Sequence, residues 1–155
     1  MRRDFATPRE KARSYAFLLL KFRLRSEKEM RDYLAKKKLA VDVIDETVAF
    51  LKAKGFINDE FFARAWIGSR LKKPLGLRKL RQELAAKGID RQLIQGCLGE
   101  ITKNYCESDI VRKIAAEKFA KLKGVDPLKA RQRIYRYLVY RGFSPQVVAE
   151  ALNDV

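Results

Sequence analysis

The chain has 155 residues, 47% of them hydrophobic, and its 35 Lys and Arg against 19 acids give a formal charge of +16 and a pI near 10.1. That apolar content suits a packed core rather than disorder, and the charge calls for a polyanionic partner, nucleic acid or a nucleoprotein. With no histidine there is no His-based triad, His-ligated metal or imidazole acid/base, and Cys97 and Cys106 have neither a disulfide-framework nor a metal-ligand spacing.

Helix signals recur along the chain and strand signals do not. Thr7-Pro8-Arg9-Glu10 is a capping box with proline at the first helical position, and the helix it opens turns Ala12, Ala16, Leu19 and Leu20 inward, flanked by Tyr15 and Phe22. Ser26-Glu27-Lys28-Glu29 is a second capping box, followed by Met30, Tyr33 and Leu34 on one side and by Lys36, Lys37 and Lys38 at the end, where cations suit the dipole. A third helix from about Asp42 carries Val43, Ile44, Val48 and Leu51 and stops at Gly55. From Asp59 a helix places Phe62, Ala63, Trp66 and Ile67 on one face, with Phe61 pointing elsewhere. Lys73-Pro74-Leu75-Gly76 breaks the pattern before a basic helix that Lys87-Gly88 terminates. Helices follow from Asp90, with Leu93, Ile94 and Leu98, and from Ser108-Asp109, with Ile110, Ala115 and Phe119, to about Gly124. Asp126-Pro127 and Ser144-Pro145 start the last two.

Internal repetition sets the architecture. A shift of 50 lays Met30, Leu34, Leu39, Val43, Ile44 and Val48 on Leu80, Leu84, Ile89, Leu93, Ile94 and Leu98, and a further shift of 54 reaches Ile134, Leu138, Phe143, Val147, Val148 and Leu152. All are apolar. The turn residue is Lys38, Gly88 or Gly142, preceded each time by a cation, Lys37, Lys87 or Arg141. The pattern predicts an all-α fold of about nine helices in three tandem three-helix modules, 8–56, 57–104 and 105–155, forming an elongated, curved array. Lacking the turn glycine, the first module should build its corner slightly differently.

The second helix of each module is expected to be the basic one, and three such helices in line would make a cationic stripe. The residues expected to hold the polyanion are Arg70, Lys72, Lys73, Arg78, Lys79, Arg81 and Lys87 in the middle of the chain and Arg131, Arg133 and Arg136 near its end. Tyr135, Tyr137 and Tyr140 lie among those last arginines, a basic-aromatic mix found on nucleic-acid surfaces. Phe62 and Trp66 are expected in the core, and Cys97 at least partly buried.

Four stretches carry a family resemblance: Arg25-Ser26-Glu27-Lys28-Glu29-Met30, Asn58-Asp59-Glu60-Phe61-Phe62-Ala63-Arg64-Ala65-Trp66, Gly76-Leu77-Arg78-Lys79-Leu80-Arg81-Gln82-Glu83-Leu84 with Lys87-Gly88-Ile89, and Leu138-Val139-Tyr140-Arg141-Gly142-Phe143. In this order they resemble RecX, the bacterial regulatory protein of the RecA recombinase, from about Ala12 to Leu152. The resemblance implies a cytoplasmic, monomeric, non-enzymatic modulator that lies in the groove of the RecA–DNA filament, restrains ATPase, strand exchange and co-protease activity, and touches single- and double-stranded DNA without sequence preference. It implies no catalytic residue, cofactor or metal and no membrane partner. Lys38 and Phe62 are its small departures. The residues agree, with no phosphate-cradling glycine loop, no nucleophile–base pair, a charged N-terminus unlike a signal peptide, and a Leu18-Leu19-Leu20 run too short to cross a bilayer. The alternative is a free-standing helix-turn-helix repressor, which would present polar side chains to base edges; the mixed or acidic third helices favour contact with a phosphate backbone instead.

Overall fold

A computed structural model describes residues 6–154. Among them lie nine helices and no strand: α1 (Pro8–Leu20), α2 (Glu27–Lys36), α3 (Val41–Ala53), α4 (Asp59–Arg70), α5 (Leu77–Ala86), α6 (Arg91–Thr102), α7 (Glu107–Lys121), α8 (Pro127–Tyr140) and α9 (Pro145–Asn153). The first residues of the charged N-terminus lie outside the described residues, as does Val155. No helix among the described residues is long and apolar enough to cross a membrane.

Both capping boxes form: Thr7 and Glu10 exchange side-chain-to-amide bonds of 3.3 and 2.7 Å, and Ser26 and Glu29 exchange two of 3.2 Å. Prolines open α1, α8 and α9, where the missing N–H has no helical partner to lose. Two starts differ from expectation. Helix α3 begins at Val41, one residue early, with Ala40 as an N-cap lacking a side-chain bond. Helix α7 begins at Glu107, not at Ser108, because Cys106 takes the extended cap conformation and the Glu107 carboxylate is held by the neighbouring module.

The eighteen aligned apolar positions are all buried or half-buried. Extensive helix packing stays within α1–α3, α4–α6 and α7–α9, and each trio has its own core. Met30, Leu34, Ile44, Val48 and Leu51 fill the first, Phe62, Ile67, Leu80, Leu84 and Leu98 the second, and Ile134, Leu138, Phe143 and Val148 the third. At about 1.5–3 kcal/mol per fully buried large aliphatic side chain, each core outweighs any single contact between modules. Cys97 is buried in the second core, and Cys106 is exposed; both thiols are free. Phe22 lies past the end of α1 and is 77% exposed, so it does not flank that core.

The modules join by one plan used twice. The N-terminus of α2 sits on the corner that ends α5, and the N-terminus of α5 sits on the corner that ends α8. Ser26, the N-cap of α2, donates its hydroxyl to the Lys87 carbonyl at 2.6 Å; the amide of Gly76, the N-cap of α5, donates to the Arg141 carbonyl at 2.9 Å. The first helical residue of each following module supplies a carboxylate: Asp59 accepts the Glu27 amide at 2.9 Å, and Glu107 accepts the Leu77 amide at 2.6 Å. The middle helices thus meet head to tail, the positive end of one against the negative end of the next.

This joint accounts for the turn glycines. Gly88 and Gly142 have φ of +77° and +90°, and a Cβ on Gly88 would lie 2.5 Å from the Cβ of Lys28, while one on Gly142 would lie 2.6 Å from the amide nitrogen of Lys79. Lys38 adopts the same left-handed backbone, with φ of +58°. Lys38 is exposed, and among the described residues no hydrogen bond from another module reaches its corner, so a side chain is tolerated at the cost of some strain. The expected difference in corner geometry is therefore small. It lies in the bond from the following amide, which among the described residues Ile89 and Phe143 form at 3.1 and 3.2 Å and Leu39 does not.

Candidate nucleoprotein-binding surface

The head-to-tail middle helices α2, α5 and α8 form the backbone of the surface, but their charges are unequal. Helix α2 is not basic, contrary to expectation: Lys28 pairs with Asp32 at 2.7 Å, and Arg31 pairs with Glu27 at 3.1 Å and Asp45 at 2.6 Å, leaving its face close to neutral. Helix α5 carries Arg78, Lys79 and Arg81 against Glu83, and α8 carries Lys129, Arg131, Arg133 and Arg136 with no acid. The net charge of the middle helices therefore rises from α2 to α8, because the α2 cations are matched by acids at i±4 and on α3.

Arg70 is not free. It binds Glu83 through two bonds of 2.9 and 2.7 Å, and Glu83 also accepts the Trp66 indole N–H at 2.9 Å. Burial raises the Glu83 carboxyl, but these two donors outweigh it and hold the group below its ordinary range. Lys87 is tied into the first joint, with its Nζ 2.6 Å from Glu29 and 5.0 Å from the Trp66 ring centre. Glu29 also binds Arg23 at 2.8 Å; burial works against the ionised form, yet the Arg23 and Lys87 hydrogen bonds hold this carboxyl at about 2. Lys79 is half-buried at the second joint, 5.3 Å over the Tyr140 ring. These three cations are structural first.

Lys72, Lys73, Arg78, Arg81, Arg131, Arg133 and Arg136 are exposed and form no ion pair among the described residues. Lys72 and Lys73 share a hollow of about 240 Å³ with Arg70 and with Arg141, which reaches the Pro74 carbonyl. The α8 arginines divide between two faces. Arg131 and Arg136 border a groove of about 400 Å³ against α9, with Tyr135 between them. Arg133 turns to the α7 side and shares a hollow with Lys118, Lys121 and Tyr137, the Lys118 Nζ lying 3.7 Å from that ring centre. Arg141, Lys118 and Lys121 escape a reading confined to the second helices. Only Arg141 had a sequence signal, as the cation before the turn glycine.

Trp66 is half-buried rather than a core centre. It stacks on the buried Phe62 with ring centres 5.8 Å apart and closes the second core from outside. Phe61 points outward and is 60% exposed, as its place on the helix predicts.

Family models for the first, second and third three-helix domains of RecX match residues 12–51, 58–98 and 107–152. The chain is 38% identical over 150 residues to a regulatory protein RecX of Chlorobium phaeobacteroides (strain BS1), covering 96% of each chain. It is 33% identical over 112 residues to the one from Serratia proteamaculans (strain 568), of which that match spans 65%. The crystal structure of RecX from Lactobacillus salivarius superposes with a TM-score of 0.81 at 21% identity, over 95% of this chain and 96% of that one, so the nine-helix arrangement is shared. The relatives are named regulatory proteins, not enzymes, and this chain belongs to the RecX family.

Proposed function

We propose that the chain regulates RecA by lying along the RecA–DNA filament, mainly inhibiting its ATPase, strand exchange and co-protease activities. The observation that carries this reading is the head-to-tail joining of the middle helices, which sets the free cations of α5, α8 and the 72–73 loop along a row of modules. A row of this kind suits a long polyanion and can bridge successive protomers. Regulation follows only where the protein binds one filament state more tightly than another, since equal affinity shifts no equilibrium.

The repressor reading finds less support. Helix α3 exposes Asp42, Asp45 and Glu46, which would repel phosphates flanking a major groove, and the Arg64 facing α6 is held by Glu60 and Glu100. The test is co-sedimentation with preformed RecA filaments, with and without excess free single-stranded DNA. Retention on filaments in the presence of competitor supports filament binding; complete release by bare DNA supports plain DNA binding.

A further inference from the structure

Two hollows adjoin where the first module meets the second, and they share Leu24 and Phe62. One, of about 300 Å³, adds Phe56, Phe61 and Arg25; the other, of about 310 Å³, adds Arg23 and Trp66. Leu24, Phe56 and Phe61 are 42%, 47% and 60% exposed, a contiguous apolar surface rather than scattered single residues. Arg25 lies at its edge, and among the described residues it has no ion pair and its buried Nε has no acceptor. Holding a charged donor out of water without a partner is unfavourable, so the site is incomplete as it stands. Burial and the neighbouring Arg23 both lower the affinity of Arg25 for its proton, against the attraction of Glu29.

The charge count decides what fits. Arg23 is already paired with Glu29 at 2.8 Å, so the groove offers one uncommitted guanidinium in an aromatic floor. A nucleic-acid strand needs a row of cations for its phosphates, whereas Arg25 and the already paired Arg23 are the cations among the residues lining the two hollows. One guanidinium among apolar side chains matches one carboxylate with apolar neighbours. We propose that this groove docks a short acidic–apolar peptide segment of a protein partner, its carboxylate on Arg25 and its apolar side chains on Leu24, Phe56 and Phe61. The inference stands on the chemistry of the groove and does not depend on the filament reading.

Trp66, the one tryptophan of the chain, lines the second hollow and reports occupancy through its emission. The probes are a short synthetic peptide of Leu, Phe, Glu and Ser, a twin with Lys for every Glu, and an oligothymidylate. The acidic peptide should shift the emission saturably and the lysine twin should not. Arg25→Gln and Phe61→Ser should each weaken the acidic peptide about tenfold, with Arg25→Lys weaker in effect. Phe61→Ser changes an exposed residue and should melt like wild type, so the test survives if Arg25→Gln unfolds. The proposal is overturned by no saturable response to the acidic peptide, by equal binding of the twin, or by Arg25-dependent binding of the oligothymidylate alone.

Discussion

Alanine at Gly76 should part the second module from the third while leaving both folded. Gly76 has an ordinary φ of −74°, so alanine brings no backbone strain, yet its Cβ would fall inside the carbonyl group of Gly142. A backbone cannot rotate aside as a side chain can, so the joint must open. Opening breaks the Gly76–Arg141 bond of 2.9 Å and the Arg78–Gly142 bond of 3.2 Å, at about 0.5–1.5 kcal/mol each, and the charged Leu77–Glu107 bond, at about 1.5–3 kcal/mol. The freed groups reach water, which favours the low end, a destabilisation of about 3 kcal/mol in all. Gly55 is the control: its φ is +76° with nothing within 4 Å of a Cβ, so Gly55→Ala should cost only the left-handed strain, about 1–2 kcal/mol. Gly142→Ala combines both penalties, but in a Gly76→Ala background it should add only the strain, because the clash is already relieved. Urea denaturation followed by circular dichroism gives these energies, and calorimetry should show Gly76→Ala resolving one transition into two. A Gly76→Ala protein as stable as wild type, or strict additivity with Gly142→Ala, would refute the close-approach account.

Lys38→Gly should raise stability by about 0.5–1 kcal/mol, the strain relieved less the entropy glycine adds to the unfolded chain, read as a higher urea midpoint. For Glu29 the unfolded carboxyl titrates at the ordinary 4.5 and the folded one at about 2, so the unfolded chain binds more protons between those values. Its contribution should be complete above about pH 4.5 and fade as pH falls towards 2, and Glu29→Gln should flatten that part of an acid-stability curve. Arg78→Glu with Arg81→Glu, sparing Lys79 at the joint, should leave melting within about 1 kcal/mol of wild type. The same pair should weaken filament binding and lower the log–log salt slope by about one unit for each phosphate no longer neutralised; an unchanged slope would place these arginines against protein. Trp66→Ala should cost about 2–3 kcal/mol, less than for a fully buried aromatic, and Trp66→Phe about 1 kcal/mol for the missing Glu83 bond, both by thermal melting.

Helical periodicity, capping boxes and proline positions are local properties, and they were enough to place nine helices and the eighteen repeated core positions, because each module closes its own core from residues near in sequence. The repeat and four motifs were likewise enough for the family. The fate of each cation was not legible. Arg70, Lys79 and Lys87 look like Arg78 and Arg81 in the sequence, and only tertiary packing brings Glu83, Tyr140 and Glu29 against the first three. The same holds for Arg133, which a helix register alone cannot assign to the α7 side without the position of α7. The turn glycines show the division most plainly. The sequence marked Lys38, Gly88 and Gly142 as one turn position, and all three do adopt a left-handed backbone. That two must be glycine and one need not is decided by the joints, where Lys28 and the Lys79 backbone press on Gly88 and Gly142, while Lys38 is exposed and no hydrogen bond from another module reaches its corner among the described residues.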